Sequence, residues 1–136
     1  MTTAPPRSGD PISTAAFDEL RMPDPCRLEI EDGRLLVTDW PAGPHLIARQ
    51  RLAICLVDQL PVEFEALPAF EADLAEPSSR RVPDVVVCTE EASEQARVRA
   101  DQILLAVEVV SPGESAARGY IKKPAEYAAN GIPTTG

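Results

Sequence analysis

Apolar and polar positions alternate closely on either side of Asp32-Gly33, in the stretch R-L-E-I-E-D-G-R-L-L-V-T that begins at Arg27. That period of two predicts a hairpin with a type I′ turn at Asp32-Gly33 and with Leu28, Ile30, Leu35 and Val37 on the core side. Beyond Pro44 the period lengthens: Leu46, Ala53, Leu56, Val57 and Leu60 fall near one face of a helix from about 44 to 60, stopped by Pro61. V-E-F-E-A-L and the weaker A-F-E-A-D-L-A follow as strands, E-P-S-S-R-R reads as a polar loop, and P-D-V-V-V-C as a short aliphatic strand opening on proline. E-E-A-S-E-Q-A-R-V-R-A-D is a charged connection holding one loose helical turn. I-L-L-A-V-E-V-V is the clearest strand, and a helix is predicted from about 114 to 130, with Gly131 as its stop and Pro133 beyond. Gly119 and Pro124 disfavour an unbroken helix there, so a kink or a new start at Pro124 is expected. Before the hairpin, residues 1–14 are expected to form a flexible arm and A-A-F-D-E-L a short helical turn, leaving 15–136 as a single domain. The order of elements predicts an α/β (α+β) fold in which a mixed β-sheet is flanked by helices.

One residue breaks the clearest strand. Residues 103–110 are aliphatic except for Glu108, and a run of this kind is buried on both faces. Either the carboxyl is neutral, or a cation balances it, or the strand lines a cleft.

Composition narrows the class. A chain of 136 residues with 44% hydrophobic content suits one globular domain. No window approaches the roughly 18 apolar residues of a membrane span, and the N-terminus lacks the apolar core of a signal peptide, so a cytoplasmic protein is expected. Cys26, Cys55 and Cys88 are odd in number and widely spaced, which argues against a disulfide framework or a zinc site. The net charge of −9 is unlike that of a basic DNA-binding domain. It is unevenly spread, however: residues 1–79 carry −8, whereas 80–123 hold seven basic and seven acidic side chains.

Asp84, at the mouth of one aliphatic strand, and Glu108, inside the next, could lie side by side if those strands are neighbours. Two carboxylates helped by a backbone carbonyl suit Mg²⁺ or Mn²⁺, and such an ion would also balance Glu108. Lys123, on the following helix, could add a fixed positive charge. A serine nucleophile is disfavoured, because His45 is the one histidine and no G-x-S-x-G elbow exists.

In order, E-I-E-D-G-R-L, P-H at a helix start, R-V-P-D-V-V-V, L-L-A-V-E-V-V-S-P and Y-I-K-K-P-A-E-Y-A-A-N-G-I-P resemble the Uma-type restriction endonucleases of the PD-(D/E)XK nuclease superfamily, over about 17–133. The resemblance implies a restriction-endonuclease-like core. Asp84 and Glu108 would be metal ligands, the Val109 carbonyl a third, and Lys123 the catalytic lysine recruited from the next helix, since Val110 stands where the superfamily's common pattern has it. Glu29 would match an additional acidic residue, His45 a frequent family histidine, and Ser111 could hydrogen-bond a ligand carboxylate. Gly119 replaces a usual aspartate, Pro124 follows the lysine, and the strands that usually follow G-I-P are absent, so the sheet is expected to lack its C-terminal strands. An open strand edge of that kind predicts a homodimer. Two functions follow: a Mg²⁺-dependent (or Mn²⁺-dependent) endonuclease hydrolysing DNA, or an inactive nuclease-like remnant serving as a binding or assembly module.

Overall fold

Asp32 (φ 51°) and Gly33 (φ 75°) both adopt left-handed backbone, as a type I′ turn requires. They join β1 (Cys26–Glu31) to β2 (Arg34–Asp39), with Leu28 opposite Val37 and Ile30 opposite Leu35. These four residues cluster with Phe17 of α1 (Thr14–Asp18) and with Ile12 and Leu20. Within the first fourteen residues, the Gly9 and Ile12 N–H groups donate to the carbonyls of Leu35 and Gly33, and Leu35 N–H donates to Asp10. The computed structural model describes residues 5–74, 79–110 and 121–136.

The hairpin belongs to a five-stranded sheet that also contains β4 (Ala72–Leu74), β5 (Ser79–Arg81) and β7 (Val98–Arg99), in the order β2-β1-β5-β4-β7. The polar loop expected at E-P-S-S-R-R is thus corrected in its second half, where Ser79, Arg80 and Arg81 form a buried strand. Its arginines can be buried because carboxylates from the neighbouring strand region and from distant segments meet them: Asp18, Glu71 and Asp73 at Arg80, Glu31 and Glu126 at Arg81. The charged connection also holds more than one loose turn, for it contains α3 (Glu90–Ser93), β7 and a 3₁₀ turn at Ala100–Gln102.

A second sheet, in the order β3-β6-β8-β9, is built from β3 (Phe64–Pro68), β6 (Val85–Thr89), β8 (Leu105–Val107) and β9 (Thr134–Thr135). Only three residues of the long apolar run form β8, and Glu108 lies just past its end. The side of β8 away from β6 is paired by β9 in parallel and by Gly136, whose N–H donates to Ala106 O and whose carbonyl accepts from Glu108 N–H. Both sheets are mixed, each having one parallel pair.

Helix α2 (Gly43–Gln59) lays Leu52, Ala53, Leu56 and Leu60 against the second sheet. Val57, expected on that face, is 42% exposed, and Leu52 takes the place. Helix α4 (Lys123–Ala129) carries Pro124 in its first turn, where a missing N–H costs nothing, and ends at Gly131 (φ 80°). The earlier part of the helix expected from 114, with Gly119, lies outside the described residues. Tyr127 of α4 packs with Val86, Cys88, Ala106 and Ile103 in the main core. The result is a mixed α/β architecture with helices flanking the sheets.

Candidate active site

Strands β6 and β8 are antiparallel, with Val85 opposite Val107. Asp84 and Glu108 are the residues that flank this last pair, and both lie within 4.0 Å of the Arg27 guanidinium. Asp84 is completely buried. Its Oδ2 accepts from Val109 N–H at 2.7 Å, and its Oδ1 lies 2.8 Å from His45 Nε2 and 3.5 Å from an Arg49 terminal nitrogen. His45 and Arg49 stand one turn apart on α2, a spacing that brings both side chains to the same neighbour.

Glu108 is held in a parallel way by α4. Tyr127 OH donates to its Oε1 at 2.5 Å and Lys123 Nζ to its Oε2 at 3.3 Å, from positions again one turn apart. Lys123 also lies 3.4 Å from Glu29 of β1, whose other oxygen accepts from Val82 N–H at 2.9 Å. Arg81 fixes the helix: its Nε and one terminal nitrogen donate to both oxygens of Glu126, at 2.9 and 2.8 Å.

Arg27 completes the cluster. Its guanidinium lies 3.8 Å from Glu29, 3.8 Å from Glu108 and 4.0 Å from Asp84, yet it donates a hydrogen bond to the carbonyl of Val82. Its Nε is buried without a partner.

These surroundings set proton affinities. Burial pushes the Glu108 carboxyl up to about 7, with Lys123 and Arg27 opposing the rise and Glu29 and Asp84 adding to it. Burial also acts to raise Glu29, but Lys123, Arg27, Arg81 and the Val82 N–H outweigh it and leave that carboxyl below its ordinary value. Tyr127 is raised well above a normal phenol, by burial first and by Glu108 next, so it stays a hydrogen-bond donor.

The model of the Uma2 family, described as putative restriction endonuclease, matches residues 14–135. The chain belongs to this family. Among solved structures, a putative nuclease of DUF820 from Anabaena variabilis is similar in fold, with a TM-score of 0.64 and 17% identity over 90% of this chain and 70% of that one. No curated protein matches.

Of the residues expected to form the site of this Uma2 chain, the structure brings together Asp84, Glu108, Lys123, Glu29 and His45, and it places the Val109 backbone against Asp84. Ser111 lies outside the described residues. Glu29 and Lys123 are both buried, so neither is the solvated surface charge that a hairpin or a helix ordinarily carries. Sequence reasoning missed Arg27, Arg49, Tyr127 and Arg81. A signal existed for three of them: Arg27 alternates with Leu28 onto the face of Glu29, Arg49 stands four residues after His45, and Tyr127 stands four after Lys123. Among the described residues no three His, Cys, Asp or Glu side chains are grouped to hold a metal ion by themselves. The donor chemistry nevertheless suits a hard divalent cation, which takes one or two carboxylates and fills its remaining positions with water or backbone oxygen. Asp84, Glu108 and Glu29 each lie within 4.0 Å of a terminal nitrogen of the Arg27 guanidinium.

Proposed function

We infer that this chain is a divalent-metal-dependent endonuclease that hydrolyses DNA phosphodiester bonds. The observation that carries the reading is that Glu108 and buried Asp84 flank the last pair of β6 and β8 and approach one guanidinium within 4.0 Å, with Lys123 3.3 Å from Glu108. Asp84 and Glu108 would hold Mg²⁺ or Mn²⁺, with the Val109 carbonyl as a third ligand, and such an ion, when bound, acidifies a water and screens charge on phosphate. The remaining work belongs to side chains. His45, Arg49 and Val109 N–H keep Asp84 in one orientation, and Tyr127 does so for Glu108. Lys123 supplies an ammonium that can orient an attacking water or neutralise charge developing on a phosphate. Arg81, through Glu126, keeps α4 where Lys123 and Tyr127 reach Glu108. No described helix is long and apolar enough to cross a membrane, and a cytoplasmic setting, where DNA is at hand, fits this reading.

A second reading has one observation in its favour. Asp84, Glu108 and Glu29 already face Arg27, Arg49 and Lys123, so the site is balanced without a metal, as in a remnant that binds or assembles without catalysis. The homodimer expected from an open edge finds no support here, since β9 covers β8, and it forms no part of the proposal. Calorimetric titration of Mn²⁺ into wild type and Asp84→Ala separates the two readings. Stoichiometric binding that the variant loses is expected of the nuclease; a folded wild type that takes up no Mn²⁺ leaves the remnant.

A further inference from the structure

We propose that Arg27 is a placeholder cation, occupying the shared focus of Asp84, Glu108 and Glu29 until a divalent ion displaces it. The inference rests on the nuclease reading and adds to it a residue that sets how tightly metal binds. Two observations lead to it. The guanidinium is the one cationic group within 4.0 Å of all three carboxylates among the described residues. It nevertheless makes no hydrogen bond to any of them, so its hold is charge without direction, whereas a buried arginine that belongs to the scaffold, as Arg81 does, is bonded to both oxygens of its partner. The buried, unpartnered Nε of Arg27 does not separate the two, since one terminal nitrogen of Arg81 is also buried without a partner.

The side chain has somewhere to go. Arg27 retains 15% of its side-chain exposure, against 9% for Glu108, 3% for Glu29 and none for Asp84, so of the four groups the guanidinium has the most open path toward water. A divalent ion and the guanidinium cannot occupy the same position between the three carboxylates, and at about 4 Å their repulsion in a partly buried site exceeds several RT. Metal entry and departure of the guanidinium are therefore one exchange. The cost of that exchange lowers the apparent metal affinity by the fraction of molecules in which the arginine has left.

The test is calorimetric titration of Mn²⁺ into metal-free wild type and Arg27→Gln, with the thermal midpoint of each followed in EDTA and in Mn²⁺. Arg27→Gln is expected to bind Mn²⁺ about tenfold or more tightly than wild type, to melt lower in EDTA and to gain more from Mn²⁺. Equal or weaker binding by Arg27→Gln, with wild type binding well, overturns the placeholder and leaves the nuclease reading intact. Binding by neither protein overturns both. If Arg27→Gln does not fold, Arg27→Lys keeps a charge at shorter reach with one cationic centre. Its affinity is then expected to exceed that of wild type, and an affinity below wild type overturns the proposal.

Discussion

Two arginines enter neighbouring parts of this molecule on different terms, one wholly buried and one partly exposed. Arg81 is wholly buried and bonded to both oxygens of Glu126 and to Glu31, while Arg27 faces three carboxylates at 3.8–4.0 Å and bonds to none of them. The first is a fastener, joining β5 to α4. The second is a counter-charge, satisfying the field of the site without fixing its geometry. The difference teaches that burial and opposite charge do not by themselves mark a structural ion pair; directional bonding separates a pair the fold needs from one that the site can exchange.

The contrast can be broken most forcefully at Arg81. Arg81→Met leaves Glu126 buried without its partner, and urea unfolding is expected to show a loss of about 3–5 kcal/mol; a loss no larger than that of Arg27→Gln would erase the distinction. On the exchangeable side, Glu108→Ala is expected to lower Mn²⁺-dependent cleavage of plasmid DNA by about 10²–10³-fold while the circular dichroism of the folded protein is unchanged. Cleavage at the wild-type rate would remove Glu108 from the chemistry.

A pH series sharpens the comparison further. The Glu108 carboxyl is raised from 4.5 to about 7 in the fold, so its contribution to metal-free stability is complete below about pH 4.5 and is lost as pH rises through 7. Relative to Glu108→Gln, the wild type should lose at most about 3 kcal/mol across that window, and Glu29, which is shifted the other way, acts in both proteins. A difference between the two that is flat with pH would mean that Glu108 is ionised throughout. Least in size, Tyr127→Phe removes the hydroxyl that donates to Glu108 and should cost about 1–2 kcal/mol in thermal unfolding. It should also weaken Mn²⁺ binding less than Glu108→Ala does.

Local signals carried the hairpin, because Asp32-Gly33 supplies the left-handed backbone that its turn needs and the alternation on either side fixes the faces. Asp84 and Glu108 were legible for the same kind of reason, since a carboxylate beside or within an aliphatic strand has to be answered for. The strand at Ser79–Arg81 was not legible, because the carboxylates that let two arginines be buried come from Asp18, Glu31 and Glu126, far away in the chain. Arg27 was only partly legible: its alternation with Leu28 puts it on the face of Glu29, but its bond to Val82 and its approach to Asp84 and Glu108 join segments far apart in the chain. The length of β8 was overestimated because an apolar run marks burial, and burial continues past the point where strand pairing stops.

The two helices each address one carboxylate through a pair of side chains a single turn apart, His45 and Arg49 on Asp84, Lys123 and Tyr127 on Glu108. For protein engineering, the transplantable unit is therefore larger than two acidic residues: grafting this centre onto another scaffold means carrying an H-x-x-x-R helix with the aspartate and a K-x-x-x-Y helix with the glutamate. The same two five-residue patterns, read as a compound signature with P-D and E-V-V, give a way to sort chains that keep the whole apparatus from those that keep only its acids.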